Sequence, residues 1–320
     1  MTKNTAYKIS IKHKKNLKKL VIISGQQKAG KSLLTKIISK FQGPVQCRID
    51  FFLESLLDLH KIKLINKKQL TDLFLIYSDH IFIDNIYGRN YNLKKNDESS
   101  IFNTANPQFF LNKINKNYSR QEIQKLIKKK QEMFIVIHNF IKHIDLLEKA
   151  SMQYKVVNIV PHPIDQLYSM FKSNMFKNYD DLDREIVYEQ KGKKQNLDNF
   201  FLKKFKTKQT RFEKILQKKK DSDLIDCKVI KKLRNTKFFL NIKYDEILLN
   251  YDQTILKLSR FLQKKKSALM KKIEKQKFFI VRQSNLENRN YRYLYLQKKI
   301  SSSRERLLFK YILNNYDKNV

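Results

Sequence analysis

Residues Leu20 to Ile38, LVIISGQQKAGKSLLTKII, constrain this chain more than any other stretch. A short apolar strand, Leu20 to Ile23, runs into a glycine-containing turn, and a helix is expected to start near Lys31. Gly25 to Ser32 read G-x-x-x-x-G-K-S, a phosphate-loop (P-loop) pattern in the strand-to-helix setting it requires. The spacing serves anion capture. Two glycines let the backbone curl so that successive N–H groups point inward, and the helix dipole adds positive potential. Lys28 and Lys31 add point charges and Ser32 a hydroxyl, so Gly25, Gln26, Gln27, Lys28, Ala29, Gly30, Lys31 and Ser32 form a candidate anion cradle. The whole chain holds only 5 glycines, so two at this spacing favour a phosphate site over a chance turn.

At 320 residues with 41% hydrophobic content the chain can bury a full core. No run of 18 or more apolar residues occurs, so no membrane span is expected. The basic N-terminus precedes an apolar segment too short for a signal peptide, which reads as a first strand. Cys47 and Cys227 make neither a disulfide framework nor a metal-ligand spacing, and a reducing, cytoplasmic compartment is the expectation. Net charge is +38, from 68 Lys+Arg against 30 Asp+Glu, which alone would suggest a polyanion partner. Lys, Asn, Ile, Phe and Tyr are all abundant while Gly, Pro and Trp are scarce, the joint skew of A+T-rich coding. The lysines are scattered and form no stripe, so composition is preferred to dedicated nucleic-acid binding.

Further along, Val45 to Ile49 reads as a strand, Phe51 to Leu59 as a helix, and Lys67 to Tyr77 as another helix. His80 to Ile83 could be a strand with Asp84 directly after it, and Asn85 to Asn103 a long surface loop. Helices are expected at Asn106–Lys116 and Ser119–Lys130, the second with a capping-box start. Two buried-strand runs follow, Met133 to Ile137 and Lys155 to Val160. The first leads through His138 into a helix to about Ala150, the second through Pro161-His162-Pro163 into a helix at Ile164 to Ser173. Lys177 to Asn196 is charged; Leu197–Lys220 and Leu224–Asn235 read as two helices. Lys237 to Ile242 is a last strand, followed by a short helix, Tyr244–Leu249, and a longer one, Asp252–Leu262. This alternation predicts an α/β fold, a P-loop NTPase-like parallel sheet flanked by helices, over residues 1–262. Residues 263–320 are expected to be a basic, mostly helical C-terminal extension packed on it.

In an open parallel sheet, ligands sit outside the carboxyl ends of the strands. The glycine loop, Asp84, His138 and Pro161 to Pro163 each follow a predicted strand, so all would face one crevice. A histidine there is placed to act as a general base, but it could equally cap the next helix.

Three separated segments resemble the P-loop sulfotransferases, which transfer a sulfuryl group from 3′-phosphoadenosine 5′-phosphosulfate to a hydroxyl or amine. The loop QQKAGKSLL is similar to the family's 5′-phosphosulfate loop, with Lys28 on its catalytic lysine and Lys31 and Ser32 on its hydroxyl positions. His138 falls where the family keeps its base, and PHPIDQLYS keeps Pro163, Asp165 and Ser169 of the 3′-phosphate motif R-x-P-x-D-x-x-x-S. FFLNIKYDEILLNYDQTILKLSRFL resembles the closing strand and helix, through Tyr244, Asp245, Ile247, Phe261 and Leu262. The resemblance spans roughly Leu20 to Leu262. It implies Lys28 and His138 as catalytic residues, that nucleotide as donor, a hydroxyl-bearing acceptor with carbohydrate among the candidates, and no required metal. Two departures stand out. Pro161 replaces the arginine that opens the 3′-phosphate motif, leaving Ser169 with help from His162 or a C-terminal arginine such as Arg282. Lys31 completes a pattern that also suits a nucleoside triphosphate.

That second departure keeps a kinase or ATPase open, with Lys31 on the β/γ-phosphates, Ser32 on Mg²⁺, Asp84 as the second carboxylate and Arg89 nearby. Asp84 reads more simply as a turn residue. A third reading is a non-enzymatic polyanion binder using Tyr291, Tyr293 and Tyr295 among Arg289, Arg292 and Lys298. The i, i+2, i+4 spacing of those tyrosines also fits one face of an ordinary strand.

Overall fold

A computed structural model describes residues 16–43, 45–95, 97, 99–129, 132–148, 152–173, 187–190, 193–196, 209–267 and 286–316. The first strand, β1 (Lys19–Gly25), leads through the glycine loop into α1 (Lys31–Ile38). Then come β2 (Cys47–Ile49), α2 (Phe51–Lys61), α3 (Lys67–Tyr87), α4 (Pro107–Ile114) and α5 (Arg120–Lys129). The central strands follow: β3 (Glu132–His138), a 3₁₀ turn at Phe140–His143 with α6 (Asp145–Glu148), and β4 (Gln153–Val160), which feeds α7 (Pro163–Lys172). A small hairpin, β5 (Val187–Gln190) and β6 (Lys193–Asn196), precedes α8 (Arg211–Leu233). The chain closes with β7 (Phe239–Lys243), α9 (Tyr244–Leu249), α10 (Tyr251–Leu262), a helix α11 over 286–297, and α12 (Ser303–Asn315).

Five strands form one sheet in the order β2-β3-β1-β4-β7, with every neighbouring pair parallel. The largely apolar runs of β1, β3 and β4 follow from this, since a parallel sheet is covered on both faces. Leu20 and Ile22 of β1, with Met133, Ile135 and Ile137 of β3, pack toward α2, α3, α5 and the end of α8. Val21 and Ile23, with Phe134 and Val136, face α1, α9 and α10. A third cluster joins Leu167 and Met170 of α7 and Phe212, Ile215 and Leu216 of α8 to Leu296, Leu308, Phe309 and Ile312 of the C-terminal helices. The basic C-terminal stretch therefore contributes apolar side chains to the interior.

The sheet, its parallel sense and the α/β class are as the sequence indicates. Several local expectations are not. His80–Ile83 is no strand: it lies inside the 21-residue α3, which opens on an Asn66–Gln69 capping box. That helix closes on Gly88 at φ 75°, whose N–H donates to the Asp84 carbonyl. A four-residue apolar run fits helix or strand equally well, and the preceding helix decides it here. The break expected at 221–223 is absent, because α8 runs unbroken through Asp221, Ser222 and Asp223; 197–208 lie outside the described residues. Past His138 the backbone makes a 3₁₀ turn and one short helix in place of a long one. Tyr291, Tyr293 and Tyr295 are helical. Tyr291 and Tyr295 thus lie one turn apart, each edge-on to Tyr168, while Tyr293 stacks on Phe309.

Candidate active site

The loop leaves β1 at Gly25, where a Cβ would lie 2.7 Å from the carbonyl oxygen of Ile159 on the adjacent strand. Only glycine fits that approach. Lys28 sits in the left-handed region at φ 58°, which turns the chain back toward the helix and leaves Lys28 exposed. Gly30 caps α1 at φ 89°, and the ring of Tyr244 covers its Cα. Ser32 is exposed at the helix start, whereas Lys31 is buried, its Nζ donating to the carbonyls of Gly25 (3.1 Å) and Gln26 (2.6 Å). The loop thus presents a helix N-terminus and an ammonium group to its own concavity, the donor set an oxyanion needs.

Neighbouring elements fix this shape. Gln166 of α7 donates to the Gln26 side chain (3.1 Å) and the Gln27 carbonyl (2.7 Å). Gln26 in turn donates to Asp223 (2.9 Å) and Asp226 (2.8 Å) of α8. Burial pushes the Asp226 carboxyl up, against the pull of Lys142 and of its hydrogen bond from Gln26. The continuity of α8 matters here, since a break at 221–223 would have moved Asp223 away from the loop.

Gly25 pairs in register with His138 of β3 on one side and with Ile159 of β4 on the other. The amide of Asn139 donates to the Gly25 carbonyl at 3.0 Å. The imidazole and the phosphate loop therefore share one rim of the sheet. His138 is doubly anchored to Glu54 of α2: its backbone N–H donates to Glu54 Oε1 at 2.8 Å, and its Nδ1 lies 2.6 Å from the same oxygen. A carboxylate on Nδ1 selects the tautomer that carries the proton there, leaving Nε2 as the basic nitrogen. Sequence reading missed Glu54, though an acid in the first turn of the apolar helix FFLESLLDL, directly after a strand, is a signal that could have found it.

On α7, Pro163 takes the first helical position and His162 caps the helix, its Nδ1 accepting from the Ile164 N–H at 3.3 Å. Asp165 is gripped by two arginines of α11. Arg289 donates through Nε (3.1 Å) and Nη2 (2.7 Å), and Arg292 through Nη1 (2.8 Å). Arg289 also reaches Asp245 at 2.7 Å. Ser169 lies one turn beyond Asp165 and is half-buried. Arg282 lies outside the described residues; among the described residues, Arg289 and Arg292 are arginines bonded to Asp165, one turn before Ser169. Asp84 does not follow a strand; it lies in α3, where its Oδ2 accepts from Asn90 at 2.7 Å.

Burial lowers Lys31 to about 7, with Lys28 acting in the same direction and Glu54 against it. The folded value lies below that of the free side chain, so between the two the unfolded chain binds more protons. Lys31 then contributes stability that increases as pH rises from about 7 toward 10.5. A bound oxyanion has the opposite preference, for the ammonium form. Inorganic sulfate, which does not titrate in this range, should therefore bind more weakly from pH 7 to 9, with proton uptake seen calorimetrically in buffers of different ionisation enthalpy. The Lys31→Met variant should lose that dependence. Equal affinity and no proton uptake across the range would show that Lys31 does not meet the anion.

Among solved structures, the chain is similar to the sulfotransferase domain from the curacin biosynthetic pathway, at 13% identity over 77% of this chain and 74% of that one, with a TM-score of 0.36. It is also similar to the sulfotransferase domain of the Synechococcus PCC 7002 olefin synthase, at 8% identity over 79% and 75%, TM-score 0.34. A third match is retinol dehydratase in complex with androsterone and inactive cofactor PAP, at 13% identity over 92% and 80%, TM-score 0.33. No family model and no curated protein matches the chain.

Proposed function

We propose that this chain is a sulfotransferase, moving a sulfuryl group from 3′-phosphoadenosine 5′-phosphosulfate to a hydroxyl of an acceptor. The observation that carries the reading is the Glu54–His138 pair at the end of the strand beside the phosphate loop. A kinase of this loop type places a metal-binding carboxylate on the site, and Asp84, the residue considered for that role, is bound up in α3. What ends β3, beside the loop, is an oriented imidazole.

The donor supplies an activated sulfuryl group on a phosphate leaving group. Loop N–H groups from Gly25 to Ser32, with Lys31 and the Ser32 hydroxyl, hold its 5′-phosphate. Lys28 meets the charge that grows on the departing phosphate oxygen. His138 Nε2 takes the proton of the acceptor hydroxyl as the new oxygen–sulfur bond forms and the sulfur–phosphate oxygen bond breaks. The proton ends on the ring and the negative charge on the phosphate. Ser169, with Arg289 and Arg292 in place of the arginine lost at Pro161, receives the 3′-phosphate, and Arg282 remains a further candidate. The moving group carries less charge than a phosphoryl group, so the chemistry does not demand a metal. Cys47 and Cys227, both buried free thiols, suit a reducing cytoplasmic setting.

Thermal shift tests the assignment through the linkage of binding to folding. Adenosine 3′,5′-bisphosphate in the presence of a chelator should raise Tm, and magnesium-ATP should raise it less. The reverse order would establish the kinase reading.

A further inference from the structure

An open cleft of about 700 Å³ lies at the sheet edge, between the end of β2, the start of α2 and the loop that follows α3. Its volume falls within the range of about 300–1,000 Å³ typical of small-molecule sites. The cleft is placed beside the proposed base. β2 pairs with β3 so that Ile49 faces Val136, two residues short of His138, and Phe51 on the cleft wall lies one helical turn before Glu54.

The lining chemistry is distinctive. Gln46, Asn90 and Asn92 supply planar amides, Ser99 a hydroxyl, and Phe51 an aromatic face that is 41% exposed. The loop itself holds these groups in place. Asn92 donates to the Ser99 hydroxyl at 2.7 Å, Asn90 to Asp84 at 2.7 Å, and Gln46 to the Ser99 carbonyl at 3.4 Å. Arg48, also on the wall, pairs through Nη2 with Asp50 at 3.3 Å. The charges are locally balanced: Asp50 answers Arg48, and Lys94 acts on Asp97, whose carboxyl is held down chiefly by the Ser99 N–H. Such a wall does not select a strongly charged molecule. Groups that both donate and accept, arranged around an aromatic face, match a molecule rich in hydroxyls.

We infer that this cleft is the acceptor subsite and that it takes a neutral, polyhydroxylated acceptor of the carbohydrate type, with Phe51 against a sugar face and Gln46 on a sugar hydroxyl. The inference rests on the sulfotransferase reading for the fate of the hydroxyl, but binding in the cleft needs no donor. The two can therefore fail separately.

Saturation-transfer NMR on the full chain, without nucleotide, tests it using maltotetraose, cellotetraose and chitotetraose beside 1-naphthol and decanol. At least one tetrasaccharide should bind, with its Kd raised tenfold or more in Phe51→Ala and in Gln46→Leu. Both variants leave the Arg48–Asp50 pair intact, and neither should alter the thermal shift from adenosine 3′,5′-bisphosphate. Binding of naphthol or decanol with no tetrasaccharide bound would overturn the inference. Silence from the whole panel, or saccharide binding indifferent to both substitutions, would overturn it equally. Loss of the nucleotide shift in the unmodified protein would instead overturn the function proposed above.

Discussion

Replacing His138 with alanine should reduce sulfuryl transfer by a factor on the order of 10²–10⁴, the usual worth of a positioned general base. The affinity for adenosine 3′,5′-bisphosphate should stay within about twofold. The separation of effects follows from the geometry. His138 contributes its ring to the rim, but its backbone N–H, the β3 ladder and the Asn139 bond to Gly25 do not depend on the imidazole. The ring is only part-buried, so little packing is lost with it. Glu54 is a positioning residue, acting through Nδ1. Glu54→Ala should lower kcat and, because Glu54 also favours the ammonium form of Lys31, raise KM for the donor by a smaller factor; Glu54→Gln, which still accepts from Nδ1–H, should recover part of the kcat loss and none of the KM change. A merely structural carboxylate would move Tm and both kinetic constants together. Single-turnover rates with the donor in excess, beside calorimetric binding, decide between these outcomes. Turnover retained in His138→Ala would remove the imidazole from the reaction.

The contrast between what the sequence announces and what only the fold supplies is physical. MFIVI and KVVNIV are legible because strands covered on both faces have few polar positions; the buried exception, Asn158, donates to Asn241 of β7 at 2.8 Å. The phosphate loop is legible because its chemistry is local, eight consecutive residues performing one task. The groups that hold this site together meet across long sequence separations. Glu54 reaches His138 over 84 positions, Gln166 reaches Gln26 over 140, and Arg289 reaches Asp165 over 124. Periodicity carries no information about such pairs; the strand order decides them. HIFI fails for a different reason. Ile81 and Phe82 are both buried, as a strand would have them, but α3 carries buried residues all along its length from Leu70 to Ile86, and its run is continuous with the capping box at Asn66. The tyrosines of 291–295 likewise alternate as a strand would, yet neighbouring Leu296 is drawn into the cluster with Leu308 and Phe309.

Gly30→Ala should weaken adenosine 3′,5′-bisphosphate at least a hundredfold, a loss of about 2.8 kcal/mol. Two independent costs meet at this position. The backbone stands at φ 89°, where an L side chain costs roughly 1–2 kcal/mol. The added Cβ would also lie 2.4 Å from Cδ2 and 2.5 Å from Cε2 of Tyr244. That ring has little room to retreat, since it packs against the cluster containing Ile242, Ile247 and Ile255. The cheaper response is for the loop to open, moving the Lys31 and Ser32 end of the anion site away from Lys28. Gly43 provides the control: it stands at φ 95° with nothing within 4 Å of an added Cβ, so Gly43→Ala should show the backbone cost alone and leave binding unchanged. In Gly30→Ala/Tyr244→Ala the overlap is relieved but the backbone strain stays, so affinity should recover only in part. Calorimetric titration of the three variants separates the costs. If Gly30→Ala bound as tightly as Gly43→Ala, the Tyr244 ring would not be covering the loop, and the contact between the closing strand and the phosphate site would have to be abandoned.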